Sequence, residues 1–357
     1  MPLLFGEQLS RADLLKRVGD ISQIARAKPY RLIDGPEDGV RAVDVTTGSG
    51  LVFTVVPSRG LDLSAASHKG RPLAWRSSCA DAHPAFYEPE GLGWLRTFPG
   101  GLLTTCGLTW MGAPGQDEGT PLGLHGRASH LPASSVRCGG EWRDEQYVLT
   151  VEGETRETVV FGENVVLRRR IEAYLGESRI SLTDTVTNHG FATTPHMMLY
   201  HMNFGYPVVA PGSRVLTPSL AVTPRDETAS RGAARQAHGD APEPGFAEQV
   251  FFHTMQADEE GWVTAGLVNP ALDGGFGVRI RYRQAELPCF IQWRMMGEGT
   301  YVMGMEPGNA LVLGRAAERA AGRLQHLEPG ETREYRVELS IIEGAADLLA
   351  LEEATAL

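Results

Sequence analysis

Apolar and polar residues alternate with a period of two along most of the chain from about residue 39 onward. In the stretch 165–190, Ile180, Leu182 and Val186 alternate with polar residues, and Gly176 stands between two such runs. Alternation of this kind is typical of an antiparallel strand with one buried face, and a glycine between two runs is typical of a hairpin. We therefore predict a hairpin here, a second strand pair over 274–296 and a further strand over 330–344.

Helical spacing of apolar residues is confined to the two ends of the chain. Over 10–26 it follows Ser10, a typical N-cap, and predicts an amphipathic helix. Because the predicted strands do not alternate with long helices, the pattern argues against a doubly wound α/β fold. We predict a mainly β protein, a large antiparallel β-sandwich with an N-terminal helix and few short helices. Its expected divisions are a helical extension over 1–30, a single sandwich domain over 31–345 and a tail or short helix over 346–357.

Composition narrows the classes of function. The chain has 357 residues, 44 acidic against 33 basic, and a formal charge of -11, which argues against nucleic-acid and anionic-membrane partners. No apolar run approaches the roughly 18 residues of a membrane helix, and the N-terminus lacks a secretory signal, so we expect a cytoplasmic protein. The polar stretch 224–248 predicts a long surface loop close to the candidate site. The oligomeric state stays open.

Three segments concentrate histidine, arginine and carboxylate beside glycine and proline, a composition suited to strand ends that hold polar groups over a rigid sheet. A fourth stretch places an arginine ahead of a double glycine. The candidates are His125, Arg127 and His130; His196, His201 and Asn203; Glu306 and Asn309; and Arg96 before Gly100-Gly101. Taken singly, each has a plainer interpretation: a hydrogen-bonded core histidine, a buried ion pair or a surface arginine.

Five stretches resemble, in order, those of the galactose mutarotase-like, or aldose 1-epimerase-like, superfamily. They span roughly residues 40 to 343: VVPSRGLDLSAASHKGRPLAW, LHGRAS, TNHGFATTPHMMLYHMNFGYP, CFIQWRMMGEGTYVMGMEPGNA and LEPGETREYRVELSIIEG. Each motif alone is weak, and their order makes the likeness moderately specific. Tyr206-Pro207, Gln292-Trp293 and Pro307-Gly308-Asn309 differ from the usual pattern, which indicates a divergent branch whose substrate need not be galactose or glucose.

The resemblance implies a mutarotase-type sandwich that interconverts the anomers of a monosaccharide or sugar derivative without a cofactor. Ring opening of a hemiacetal needs one group to take the anomeric hydroxyl proton and another to protonate the ring oxygen. The resemblance implies Glu306 as base and His201 as acid, with the roles exchanged in reverse. A carboxylate on an apolar strand is expected to have a raised pKa, which suits it to this task. The residues expected to bind the sugar are His125, Arg127, Arg96, Asn203, Gln292, Trp293 and Asn309.

Two other classes of function stay open. A metal-dependent sugar isomerase or lyase would draw its ligands from His125, His130, His196, His201 or Glu306, although the compact HxH pair typical of cupins is missing. A carbohydrate-binding protein would keep the sandwich and the cleft without turnover. Replacement of Glu306 separates the second alternative from an enzyme.

Overall fold

The computed structural model describes all 357 residues, and most of its regular structure is strand. The strands are β1 (Leu3–Leu4), β2 (Glu7–Gln8), β3 (Arg26–Arg31), β4 (Arg41–Thr46), β5 (Leu51–Val56), β6 (Asp62–His68), β7 (Arg71–Pro72), β8 (Thr104–Leu108), β9 (Gly115–Asp117), β10 (Thr120–Leu122), β11 (Ser134–Arg143), β12 (Gln146–Thr158), β13 (Asn164–Tyr174), β14 (Arg179–Asn188), β15 (Thr194–Phe204), β16 (Arg214–Leu216), β17 (Ser219–Pro224), β18 (Gln249–Met255), β19 (Trp262–Asn269), β20 (Phe276–Arg283), β21 (Cys289–Gly297), β22 (Thr300–Gly308), β23 (Gln325–Leu327) and β24 (Thr332–Glu343). The helices are α1 (Arg11–Leu15), α2 (Glu227–Gly232), α3 (Arg315–Ala320) and α4 (Ala345–Thr355). None of the four helices combines the length and the apolar character that crossing a membrane would require.

Three antiparallel sheets form the body of the protein. The largest has eight strands in the order β11-β12-β13-β14-β24-β20-β19-β16. A seven-stranded sheet runs β17-β18-β21-β22-β15-β23, with β8 paired to β15 as its seventh strand. A five-stranded sheet follows the chain order from β3 to β7. The mainly β, antiparallel sandwich predicted from the alternating pattern is thereby confirmed.

The hairpin predicted over 165–190 is present as β13 and β14, with Ala173 opposite Ile180 across the turn. The second prediction was wrong in its pairing. The stretch 274–296 does form two strands, but β20 belongs to the eight-stranded sheet and β21 to the seven-stranded sheet. Alternation identifies a buried face, whereas the partner of a strand is decided by contacts distant in sequence.

The N-terminal helix predicted over 10–26 is confined to α1. Ser10 caps α1 as expected, because its hydroxyl accepts a hydrogen bond from the backbone N–H of Asp13 at 3.1 Å. The helix ends at Leu15, a 3-10 turn covers Ile21–Gln23, and β3 begins at Arg26. β3 shares only Arg26 with this stretch, and Gly19 together with the Asp20 cap of the 3-10 turn separates that turn from α1. At the other end of the chain, α4 occupies most of 346–357.

The strand β15 is buried on both faces, and this places it between two apolar clusters. Met198, Tyr200 and Met202 belong to the main core of the sandwich. Met197 and Leu199 point the other way, into a smaller cluster built around Trp94, Phe98 and Trp110. The second face is the one that carries the candidate site.

Candidate functional site

The candidate site lies on the face of the seven-stranded sheet that turns away from the main core. Met202 pairs with Met305 and Asn203 with Gly304, so the same register places His201 of β15 opposite Glu306 of β22. On the other side of β22, Glu306 faces Ile291 and Gly304 faces Trp293 of β21. Because side chains alternate between the faces of a strand, these residues project together on one side of the sheet.

Glu306 and His201 form the buried floor of this site. Only 2% of the Glu306 surface and 6% of the His201 surface is exposed. His201 Nε2 and Glu306 Oε1 approach to 3.4 Å, although Oε1 accepts no hydrogen bond. Gly304 makes room for the carboxyl group, because a Cβ at that position would collide with Glu306 Oε1. Two facing strands thus fix a histidine beside a carboxyl group with no loop between them.

His125 reaches the site from a connecting loop rather than a strand. Its backbone is held on both sides, since His125 N donates to Gly112 O and Gly107 N donates to His125 O, each at 3.0 Å. It has a φ of 56°, a left-handed conformation that is uncommon for a residue with a side chain and that clusters at functional sites. The ring centroid of His125 lies 5.6 Å from that of His201, with the two planes nearly perpendicular at 89°.

Aromatic side chains wall a cleft above this floor. The cleft has a volume of about 670 Å³, and its walls include Trp75, Trp94, Phe98 and Trp293. Trp94 packs against His125 with ring centroids 4.8 Å apart, and Trp293 packs against His201 at 5.5 Å. Flat apolar rings suit the C–H faces of a sugar, while the few polar groups at the floor can fix its orientation.

Burial favours the uncharged form of all three residues at the floor, Glu306, His201 and His125. Loss of hydration raises the pKa of Glu306 well above its ordinary value of 4.5. The same cause lowers the pKa of His201 to about 4 and that of His125 to about 3. At neutral pH both imidazoles are accordingly neutral, while burial favours the protonated form of the Glu306 carboxyl group.

Three polar atoms at the floor have no hydrogen-bond partner within the chain. They are Nδ1 of His125, Nδ1 of His201 and Oε1 of Glu306. Buried polar atoms in native proteins are nearly always hydrogen-bonded, and each exception calls for a reason. The common position of these three at the floor of an open cleft is suited to ligand hydroxyl groups.

Two charged residues of the cleft were not predicted, and they stand at the two ends of the loop 224–248. Arg225 Nη2 donates to Glu248 Oε1 at 3.0 Å, and Glu248 Oε2 accepts from Trp293 Nε1 at 3.0 Å. Arg225 Nε also donates to Asp226 Oδ2 at 2.8 Å. The stretch was predicted as a surface loop, and it contains α2 followed by a short 3-10 turn. Its polar composition gives no period from which these two residues could have been singled out.

The two arginines predicted to bind sugar lie outside the cleft. The side chain of Arg96 is 72% exposed and pairs with Glu88, with Nε and Oε2 3.2 Å apart. Arg127 is exposed, and its guanidinium lies 5.6 Å from the ring centroid of Trp110. Their plain interpretation as surface arginines describes these positions correctly.

Three further predicted residues are buried away from the cleft. Asn203 Nδ2 donates to Gly101 O at 3.1 Å and to His201 O at 2.9 Å. Gln292 points to the opposite face from its neighbour Trp293 and contacts His253 at 3.1 Å. Asn309 Oδ1 accepts from the backbone N–H of Met198 at 2.7 Å. All three stabilise the strands that carry the site, and none of them lines the cleft.

The residues proposed for a metal site are not brought together as one ligand set. His130 bonds with Thr97 Oγ1 at 2.9 Å, and His196 bonds with Leu108 O at 3.0 Å and Tyr335 Oη at 2.7 Å. Both are core histidines with structural partners. No group of three histidine, cysteine or acidic side chains has the arrangement of a metal site.

Comparison with known proteins finds one family model and several solved structures that match most of the chain. The model of a protein family described as a domain of unknown function, DUF4432, matches residues 37–341. A search of curated proteins found no match. A solved structure from Klebsiella pneumoniae, named provisionally as an aldose 1-epimerase, superposes with a TM-score of 0.88 at 28% identity, covering 96% of this chain and 89% of that one.

Two more distant structures share the fold. A galactose mutarotase-like protein from Clostridium acetobutylicum has a TM-score of 0.63 at 13% identity, covering 88% of this chain and 98% of that one. A galactose 1-epimerase from Lactobacillus acidophilus has a TM-score of 0.57 at 12% identity, covering 89% of this chain and 99% of that one. The chain therefore belongs to the DUF4432 family, and it shares the fold of galactose mutarotase-like proteins.

Proposed function

We propose that this protein is a cofactor-independent aldose 1-epimerase, which interconverts the anomers of a reducing sugar by acid/base ring opening. The observation that carries the proposal is the pair formed by His201 Nε2 and Glu306 Oε1, 3.4 Å apart at the buried floor of an aromatic cleft. The name of the Klebsiella pneumoniae structure supports the same class of reaction.

The pair can serve both proton transfers of the reaction. Opening a hemiacetal removes the proton of the anomeric hydroxyl, breaks the bond between the anomeric carbon and the ring oxygen, and adds a proton to that oxygen. One proton shared between two groups is sufficient, because one group accepts while the other donates, and reclosure on the opposite face returns both to their starting state. With the proton on Glu306, His201 accepts first; with the proton on His201, Glu306 is the base.

His125 completes the floor as a hydrogen-bonding group. Its Nδ1 has no partner in the chain, and its ring stands edge-on to that of His201. A neutral imidazole there can hydrogen-bond a ring hydroxyl or the developing charge on the ring oxygen. Trp293 and Trp94 provide apolar surface on either side of the sugar ring.

The charges of the cleft favour an uncharged substrate. Arg225 is the arginine that lines the cleft, and its guanidinium already pairs with Glu248 and Asp226. A phosphate or carboxylate on the sugar would have to displace these partners and would face the negative charge of Glu248. We therefore expect neutral sugars to react in preference to sugar phosphates and sugar acids.

The proposal is tested by measuring anomer exchange by NMR for a panel of neutral, phosphorylated and acidic aldoses. The variant Glu306→Gln is expected to lose roughly 10²-fold to 10⁴-fold of the rate while still binding the sugar. An unchanged rate for every sugar bound would leave a carbohydrate-binding protein. A stoichiometric metal ion, lost on chelation together with the activity, would favour the metal-dependent alternative.

A further inference from the structure

Arg225 and Glu248 occupy the neck of the loop 224–248, where the chain leaves the seven-stranded sheet and returns to it. The backbone N–H of Arg225 donates to Val250 O at 2.9 Å, which closes the neck. The side chains of Arg225 and Glu248 pair at the same neck, with Arg225 Nη2 and Glu248 Oε1 3.0 Å apart. The loop and the wall of the cleft therefore share one ion pair.

Glu248 also fixes the orientation of an indole ring. Its second oxygen accepts from Trp293 Nε1 at 3.0 Å. The indole stands edge-on to His201 at 71° and to Trp75 at 78°. Rotation of Trp293 away from Glu248 would cost this hydrogen bond and both ring contacts. Glu248 thus acts on the floor of the site through Trp293, without itself touching the acid/base pair.

The charged and titratable groups facing Glu306 come from five parts of the chain. His201 lies on β15, Cys106 on β8 and His125 on the loop after β10, while Glu248 precedes β18 and Arg225 follows β17. The three groups nearest the floor are neutral when the site is at rest. The last two carry charges of opposite sign.

These two charges act on Glu306 in opposite directions. The negative charge of Glu248 adds to burial in raising the pKa of Glu306, and the positive charge of Arg225 lowers it. Half of the Glu248 side chain is exposed, at 52%, so solvent weakens its influence without removing it.

We propose that Arg225 and Glu248 are a pair of positioning residues, in which Arg225 anchors Glu248 at the neck of the loop and Glu248 holds Trp293 against His201. An effect of the two opposed charges on the protonation of Glu306 is an expected consequence of this arrangement. The proposal rests on the proposed acid/base function of Glu306 for its kinetic consequence. Its structural part concerns Trp293 and the Glu306 carboxyl group and can be measured without turnover.

The first experiment follows the Glu306 carboxyl carbon by ¹³C NMR during a pH titration, with the resonance assigned by its loss in Glu306→Gln. In Glu248→Gln the midpoint is expected to move to lower pH, and in Arg225→Gln to higher pH. The basic limb of kcat/KM should move with it, which changes the rate on that limb by about threefold or more in opposite directions. Glu227→Gln, which removes an exposed carboxylate from the same loop, is the matched control and should move neither.

The second experiment follows the indole N–H resonance of Trp293, assigned by its loss in Trp293→Phe. Glu248→Gln retains an acceptor and should leave this resonance near its wild-type position, whereas Glu248→Ala should shift it and raise KM more than it lowers kcat. Midpoints that move in the same direction for both charge variants, or an indole resonance unaffected by Glu248→Ala, would overturn the proposal. Absence of anomer exchange with every sugar would instead count against the proposed function, because both NMR measurements can be made without turnover.

Discussion

Gly304 precedes Glu306 by two residues on the same face of β22, and the space that a Cβ would fill at Gly304 is occupied by the Glu306 carboxyl group. Trp293, the neighbour of Gly304 on β21, would also be crowded by that Cβ, which would lie 3.0 Å from Trp293 Cβ. The carboxyl group therefore owes its position next to His201 to the absence of a side chain on its own strand.

Replacement of Gly304 by alanine should displace Glu306 without removing it. We expect kcat/KM for anomer exchange to fall by roughly 10-fold to 100-fold, because misplacement of a catalytic group by about 1 Å has effects of this size. Gly139→Ala on β11 is the matched control, since no atom lies within 4 Å of the added Cβ and the strand conformation accepts alanine. Equal rates for the two variants would mean that the position of the carboxyl group does not limit the reaction.

Glu306→Gln should be more stable than the wild type at neutral pH, although it is less active. The pKa of this carboxyl is raised in the folded state, so the folded protein holds its proton more tightly than the unfolded chain does. When folding raises the pKa of a carboxyl, the protein loses stability as the pH rises above the pKa of that carboxyl in the unfolded chain, about 4.3. The amide introduced by Glu306→Gln does not titrate, so the variant loses no stability in this way. We expect the Tm of the variant to exceed that of the wild type by roughly a few degrees at pH 7–8, with the difference vanishing near pH 4. A difference independent of pH would exclude this cause.

Buried neutral histidines should make the protein sensitive to mild acid. Burial lowers the pKa of His196, His201 and His253 to about 4 and that of His125 to about 3. The unfolded chain binds protons to these rings below about pH 6.5, whereas the folded protein does not. Stability is therefore complete above pH 6.5 and falls as pH decreases towards 4. Urea unfolding at a series of pH values should show this slope, and His253→Gln should reduce it by up to about 1.4 kcal/mol per pH unit. An unchanged slope would show that His253 is protonated in the folded state.

Arg96→Ala should leave anomer exchange within about twofold of the wild type and change the free energy of unfolding by no more than about 0.5 kcal/mol. The reason is that Arg96 lies outside the cleft and forms an exposed pair with Glu88. Trp293→Ala is the contrasting variant, because it removes a wall of the cleft and should raise KM by about tenfold or more. A large effect of Arg96→Ala would indicate that the rim of the cleft closes over the substrate.

Much of this architecture follows from the alternation of side chains. His201 and Glu306 belong to apolar strands, and the resemblance to mutarotases singled out both. That the two residues lie next to each other follows from the register of β15 against β22, and no local sequence pattern specifies this register. The same alternation separates Gln292 from Trp293: neighbours on one strand cannot both line the cleft, and only the paired strands show which one does. Arg225 and Glu248 lie outside any periodic segment, so tertiary contacts alone bring them to the site.

Strands β15 and β22 share a backbone ladder, and this makes the separation between His201 and Glu306 independent of every loop around the cleft. Two of the walls are built differently, since Trp75 comes from the connection after β7 and Trp94 from a 3-10 turn. If the proposed function holds, proton transfer depends on the paired strands, whereas these two contacts to the sugar come from segments outside the sheet. We therefore expect substitutions at Trp75 and Trp94 to alter which sugar reacts, while the register of β15 against β22 keeps His201 and Glu306 in place.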